Sequence, residues 1–171
     1  MRIHISANHK GYAQGREVQA WLTSAGHEVI WHGAAELDPG DDYTHFAILV
    51  GQSVIVDEDH ALETRGLVFG GSGASEIICV NKVNGVRAVA AVSQAYVHDA
   101  RQLSNANVLV LGAELNDLDF AKTLISTLIE TSFEYTVENA RRIVNVNEYE
   151  NVGTIEGWMI TEEELEKELG F

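Results

Sequence analysis

Short runs of branched and aliphatic residues alternate along this chain with longer segments of helical pattern, and this alternation constrains the fold more than any other feature. The predicted strands are 3–6, 28–31, 66–69, 86–91 and 108–111, and the predicted helices are 13–25, 46–56, 75–82, 94–104, 118–130 and 136–148. Nearly continuous apolar strands are typical of a parallel sheet that is covered on both faces. The sequence therefore predicts an α/β fold with a doubly wound, five-stranded parallel sheet built from right-handed βαβ units.

One domain accounts for most of the chain, because a length of 171 residues suits a single domain with a substantial core. We expect residues 1–152 to form a Rossmann-like domain. Residues 153–171 are expected to form an acidic tail, with a helix over 161–169 as a C-terminal extension. An acidic helix of this kind is typical of a solvated surface rather than of a partner-binding element.

The charge of the chain excludes two classes of partner. A formal net charge of -15 opposes binding to nucleic acid and to anionic membrane surfaces.

No apolar run approaches the length that spans a bilayer. The single cysteine, Cys79, cannot form an intramolecular disulfide, which suits a reducing compartment. We therefore expect a cytoplasmic protein that acts on a small molecule.

The glycine-rich turn at 70–73 is the most informative local motif, because it follows a predicted strand and opens a predicted helix. In doubly wound sheets, ligands bind beyond the carboxyl ends of the strands. Closely spaced glycines let backbone N–H groups converge on a phosphate or on a developing oxyanion. Glu76, in the first turn of the following helix, could abstract a proton α to a carbonyl, or could only complement the helix dipole. Many nucleotide-binding proteins share such a turn, so the pattern alone leaves both interpretations open.

Several segments together resemble the ribose-5-phosphate isomerase B and galactose-6-phosphate isomerase family. The central signature is Gly-Gly-Ser-Gly at 70–73 with Glu76 and the segment 81–88, and looser matches lie at 7–11, 41–43 and 100–109. The similarity extends over roughly residues 2 to 150. It implies an aldose–ketose isomerase that works through an enediolate, without a metal or an organic cofactor.

The resemblance also assigns roles to individual residues. Family members use either a cysteine at the position of Gly70 or a glutamate at the position of Glu76, and this chain resembles the glutamate type. Glu76 is then the base and Ser72 its polar partner. The enediolate would be held by the backbone amides around Gly71, Gly73 and Ala74, and the implied substrate-binding residues are Asn8, His9, Tyr43, Asn105 and Arg142. We interpret Cys79 as a packing residue rather than a nucleophile.

The chain departs from the family pattern at positions that handle substrate. The loop aspartate is replaced by Asn8, and the histidine that opens the sugar ring aligns with Leu103. Two phosphate-binding arginines align with Glu114 and Glu138, while Arg142 persists. A carboxylate in a phosphate site repels the ligand.

Three explanations for these departures stay open. The first is a substrate that is unphosphorylated, or whose phosphate is held elsewhere, by Lys10, Arg141 and Arg142. The second is an open-chain sugar that needs no ring opening. The third is dependence on a homologous partner subunit that supplies the missing arginine and histidine.

Family sites form between subunits, so the resemblance implies a homodimer or homotetramer with shared active sites. Two rival functions are a non-enzymatic sugar-binding paralogue and a dinucleotide-binding protein. Retention of Ser72 and Glu76 opposes the first, and the lack of a glycine fingerprint after the first strand opposes the second. We interpret the charged run at 57–60 as a solvated loop rather than as metal ligands.

Overall fold

In the computed structural model, which describes residues 1–153 and 162–170, strands and helices alternate in the predicted order. The strands are β1 (Arg2–Ala7), β2 (Glu28–Trp31), β3 (Thr64–Gly70), β4 (Ala88–Ala90) and β5 (Val108–Gly112). The helices are α1 (Tyr12–Ser24), α2 (Tyr43–Asp59), α3 (Ala74–Val80), α4 (Gln94–Ser104), α5 (Leu118–Glu130), α6 (Val137–Val152) and α7 (Glu162–Leu169). All strand pairs are parallel and the sheet order is β2-β1-β3-β5-β4, so the predicted fold class is confirmed.

Helices cover both faces of the sheet. Successive side chains of a strand point to opposite faces, so apolar strands present two surfaces that must be buried. Ile3 and Ile5 of β1 pack with apolar residues of α1, α4 and α5. Val68 of β3 and Val108 of β5 pack on the other face with residues of α2 and α3. This division is the one that right-handed crossovers produce when the chain first moves outward to β2 and then back to β3.

The sheet order places a topological switch point between β1 and β3. These strands are neighbours, but the chain leaves β1 toward β2 on one side and leaves β3 toward β4 on the other. The loops that follow them therefore diverge and leave a crevice at the carboxyl edge of the sheet. The loop after β1, the glycine turn after β3 and the loop after β5 all meet there.

Some element boundaries differ from the prediction for local reasons. Helix α2 begins at Tyr43 instead of 46, because the side chain of Asp42 accepts a hydrogen bond from the Thr44 amide and caps the helix. Strand β4 is limited to three residues, because it lies at the sheet edge and pairs only with β5. Helix α6 continues to Val152 and ends at Gly153, which adopts a left-handed φ of 73°.

The acidic tail is described only in part. Helix α7 matches the helix predicted over 161–169, except that residue 161 lies outside the described residues. The division into 1–152 and 153–171 stays a prediction. In the two described ranges, no helix combines the length and apolar character that crossing a bilayer requires.

Candidate active site

The glycine turn and Glu76 form the centre of the crevice. Gly73 has a φ of 79°, a left-handed conformation that turns the chain from β3 into α3. Glu76 lies in the first turn of α3, is only 4% exposed, and folds its carboxylate back over Gly70. A Cβ atom on Gly70 would overlap that carboxylate. Glycine at position 70 is therefore the condition for the observed position of Glu76.

Asn8, in the loop after β1, holds the Glu76 carboxylate. Its Nδ2 donates to Glu76 Oε1 over 2.7 Å, and its Oδ1 accepts from the backbone amides of Lys10 (2.9 Å) and Gly11 (3.1 Å). The two backbone contacts fix the orientation of the amide, so a donor faces the carboxylate. A donor at this position gives the buried carboxylate of Glu76 a hydrogen-bond partner, whereas an aspartate would set two carboxyl groups against each other.

His9 is oriented by a buried carboxylate. Its Nδ1 lies 3.0 Å from Oδ1 of Asp41, whose side chain is 4% exposed, while the His9 side chain is 37% exposed. Because an ionised carboxylate only accepts, His9 Nδ1 donates, and Nε2 of the neutral ring is left as an acceptor. Asp41 is absent from the predicted site residues, although it stands in the matched segment 41–43 that contributes Tyr43.

These residues line a cavity of about 260 Å³ at the carboxyl edge. Six predicted site residues line it, namely Asn8, His9, Tyr43, Gly71, Ser72 and Glu76. Lys10, Ser75 and Glu114 also line it, and these three are absent from the predicted site residues. Gly73 and Ala74 form the turn into α3 beside Ser72, and the Ala74 amide donates to Ser72 Oγ over 3.3 Å. A substrate oxygen would compete with that hydroxyl for the Ala74 amide.

An ion pair crosses the mouth of this cavity. Lys10 Nζ lies 2.9 Å from Glu114 Oε1, and both side chains are about half exposed. Glu114 follows β5 and its backbone amide donates to the Gly71 carbonyl over 2.9 Å. A Cβ atom on Gly71 would lie 2.7 Å from Lys10 Cδ, so the absence of a side chain there gives the ion pair its space.

Asn105 and Arg142 lie at the opposite, amino edge of the sheet. Asn105 ends α4 just before β5, and its side chain accepts from Arg101. Arg142 lies on α6 and is paired with Glu138. The five residues of β5, at about 3.3 Å each, put roughly 16 Å between the two edges. Within one chain, therefore, these two predicted substrate-binding residues are not brought together with Glu76.

Cys79 has the environment of a packing residue. It packs against the core cluster that contains Val50 and Val108, and its Sγ donates to the Thr44 carbonyl over 3.4 Å. Burial raises the pKa of the thiol, and the nearby carboxylates of Asp42 and Glu76 raise it further. A thiol that is held protonated is a poor nucleophile.

The charged run at 57–60 is not the solvated loop that we predicted. Residues 57–59 belong to α2, and Asp57 is 6% exposed. Asp57 accepts from Arg2 (2.8 Å) and pairs with His4 Nε2 (2.9 Å), because its helix faces β1. In the ranges 1–153 and 162–170, no three His, Cys, Asp or Glu side chains are grouped in a way that could hold a metal ion.

Comparison with known proteins gives a consistent result. A sequence model of the family described as Ribose/Galactose Isomerase matches residues 3–146. Ribose-5-phosphate isomerase B of Mycolicibacterium paratuberculosis is 31% identical over 150 residues, covering 88% of this chain and 92% of that protein. The structure of the Clostridium thermocellum ribose-5-phosphate isomerase B has a TM-score of 0.82 at 31% identity, over 90% of this chain and 100% of that one. The structure of the Mycoplasma genitalium ribose-5-phosphate isomerase B with bound ribulose-5-phosphate also has a TM-score of 0.82. It is 29% identical in sequence, and the match covers 88% of this chain and 97% of that one.

Proposed function

The chain belongs to the ribose/galactose isomerase family, and from that premise we propose a reaction for its cleft. The protein is an aldose–ketose isomerase. Its relatives are named ribose-5-phosphate isomerase B, which is an activity of this class. We propose that it acts on a sugar or sugar phosphate through an enediolate, with Glu76 as the base. The observation that carries this proposal is the buried Glu76 carboxylate, held by Asn8 beside the glycine turn.

The chemistry needs one base and a site for a transient negative charge. The Glu76 carboxylate removes the proton from C2 of the open-chain aldose, and the electrons of that C–H bond pass to the C1 carbonyl oxygen. The same carboxyl group then returns the proton to C1, while the Ser72 hydroxyl relays a proton between O2 and O1. No proton is gained or lost overall. The amides of Gly71 and Gly73 would stabilise the enediolate oxygen, as preorganised donors do in other anion holes.

Substrate positioning completes the role of the cleft. His9, held by Asp41, offers Nε2 to a sugar hydroxyl, and Tyr43 lines the same wall. Asn8, predicted to bind substrate, contacts the base instead, so we assign it the positioning of Glu76. A cavity of about 260 Å³ accommodates a small sugar.

A second subunit is part of the proposal. Asn105 and Arg142 can reach Glu76 only if another copy brings its amino edge to the cleft, which makes a homodimer or homotetramer with shared sites the functional unit. A heteromer with a homologous chain is the second candidate, because the pairing of Arg142 with Glu138 weakens the contribution of an identical partner. We place this reaction in the cytoplasm, where a lone cysteine stays reduced.

The test is isomerisation by the purified protein in D₂O. We expect ketose formation from at least one tetrose, pentose or hexose, free or phosphorylated. Solvent deuterium should be incorporated at C1 to the extent that the protonated Glu76 carboxyl exchanges with D₂O before it returns the proton. Deuterium incorporation reports a proton-transfer mechanism, because a hydride shift would retain the substrate hydrogen. Turnover that appears only after a homologous subunit is added would favour the heteromer, and retained turnover in folded Glu76→Gln would contradict the proposed base.

A further inference from the structure

The charged groups around the cleft are mostly carboxylates. Glu76 and Glu114 line the cavity, and Asp41 lies behind His9. Among the residues that line this cavity, Lys10 is the one ammonium or guanidinium group in the described part of the chain. Three carboxylates and one ammonium give these four side chains a formal net charge of -2 when His9 is neutral. The surrounding field adds to this, since the whole chain carries -15.

The positive charge of Lys10 is already balanced by an ion pair. Its ammonium is 2.9 Å from Glu114 Oε1, across the open side of Gly71. A phosphate that took Lys10 as its partner would displace Glu114 and leave a carboxylate beside a phosphate dianion. Close like charges repel even where solvent screens them, so this exchange is unfavourable.

The amino edge of a second copy would not reverse that balance. Of the cations that such a copy would bring, Arg142 is paired on its own chain with Glu138 and also contacts Asn139 Oδ1 at 3.4 Å. Arg87 is paired with Glu58 over 3.5 Å, and Arg65 and Arg101 are buried. Lys10 and Arg142 are therefore each paired with a carboxylate of their own chain. For a sugar hydroxyl the same groups are favourable, because Glu114 accepts a hydrogen bond and Lys10 donates one.

We propose that this cleft selects a sugar whose far end is an uncharged hydroxyl rather than a phosphate, and that Glu114 is the residue that determines this specificity. The inference deepens the proposed isomerisation at Glu76 and rests on it. The Glu114 side chain is about half exposed at the mouth of the cavity, whereas Glu76, the proposed site of proton transfer, is 4% exposed. Its replacement therefore changes which substrate binds, while the proton transfer at Glu76 is retained.

The test compares kcat/KM for ribose with that for ribose 5-phosphate, and for erythrose with that for erythrose 4-phosphate. We expect the unmodified protein to favour the free sugars by roughly tenfold or more, which corresponds to removal of one screened like-charge contact. Glu114→Arg should raise kcat/KM for the phosphorylated sugars by about the same factor and should not raise it for the free sugars. Glu114→Gln, which keeps the size of the side chain, should give a smaller change in the same direction.

The matched control is Glu130→Arg, the same charge change at an exposed position on the last residue of α5. It reports the effect of net charge alone and should leave the substrate preference unchanged. A tenfold preference of the unmodified protein for the phosphorylated sugars would overturn the inference and leave the isomerase assignment intact. An equal response of both substrate classes to Glu114→Arg would also overturn it. Failure to isomerise any sugar would overturn the proposed function itself, and the inference with it.

Discussion

The two edges of the sheet carry opposite chemistry. At the carboxyl edge, glycines and carboxylates surround Glu76, which is held by the amide of Asn8. At the amino edge, Arg65 and Arg101 are buried close to Arg87. Burial, together with the neighbouring charges of Arg65 and Arg87, lowers the pKa of Arg101 to about 10.

The distance between these edges is the structural basis of the proposed shared site. Arg101 anchors Asn105, so the predicted substrate-binding residues are tied to the arginine-rich edge. Glu76, the proposed base, lies at the other edge, because it follows the end of β3. One chain therefore separates Glu76 from the guanidinium groups of Arg65 and Arg101 by the length of a strand. The proposed shared site needs two copies that place opposite edges together.

The largest effect is expected at the centre of the carboxyl edge. Glu76→Gln should lower kcat by about 10²–10⁴-fold, the usual contribution of a positioned general base, with folding and sugar binding nearly unchanged. The measurement is steady-state turnover together with sugar binding by calorimetry. Cys79→Ala is the control on the same helix and should stay active. Loss of turnover in Cys79→Ala with normal folding would instead assign the chemistry to the thiol.

The geometry around that base gives the next effect. In Gly70→Ala, the added methyl group would push the Glu76 carboxylate out of its position, and a displacement of about 1 Å can cost about 10²-fold in rate. We expect kcat to fall by that order while KM changes little. Gly40→Ala, in an exposed turn where the nearest atom to a new Cβ would be 3.4 Å away, is the control. Full activity in folded Gly70→Ala would show that the base does not need this contact.

Pairing of opposite edges can be tested by complementation. Chains with Glu76→Gln and chains with Asn105→Ala/Arg142→Ala should each be poorly active alone. Co-expressed in equal amounts, they should recover up to about a quarter of the unmodified activity, because half of the dimers are mixed and each mixed dimer keeps one intact site.

The control for complementation places all three substitutions in one chain and co-expresses it with Glu76→Gln, which leaves no intact site. Native mass spectrometry would confirm that mixed dimers form. Mixed dimers without recovered activity would contradict a site shared between the two edges, and so would an active monomer.

The smallest effect is expected on the pH dependence of stability, from His32 and its neighbour His4 on the sheet. His32 Nε2 lies 2.8 Å from His4 Nδ1, and His4 in turn pairs with Asp57, which Arg2 also contacts. Burial lowers the pKa of His32 to about 4, and the neighbouring His4 contributes to the lowering. The unfolded chain takes up a proton near pH 6.5, but the folded chain does so only near 4, so stability falls as pH is lowered through this interval.

We expect His32 to contribute about 1–2 kcal/mol to this fall once solvent screening of a half-buried ring is included, equivalent to a few degrees in Tm. The measurement is Tm between pH 7 and pH 4 for the unmodified protein and for His32→Gln, which should show a shallower dependence. His98→Gln, at an exposed histidine, should leave the slope as it is. An identical slope in His32→Gln would show that this ring does not couple folding to pH.

Much of the site was accessible from the sequence because its key pattern is local. The glycine turn and Glu76 fall within seven residues, and the strand before them and the helix after them are evident from periodicity. The interpretation of Cys79 as a packing residue comes from the same segment, because this cysteine lies on the helix that has Glu76 in its first turn. The contacts of Asp41 with His9 and of Glu114 with Lys10 were missed, because these partners are 32 and 104 residues apart in sequence.

Local sequence patterns were sufficient to predict the order of strands and helices, the parallel sheet, and the carboxylate that follows the glycine turn. These features follow from the burial and backbone preferences of short segments, which can be read one window at a time. The three-dimensional structure was needed to show that Asp57 is buried against His4, that Lys10 is ion-paired at the mouth of the cleft, and that Asn105 lies at the far edge from Glu76. Such contacts depend on which strands and helices become neighbours, and that choice is made by packing of the whole sheet rather than by any local run of residues.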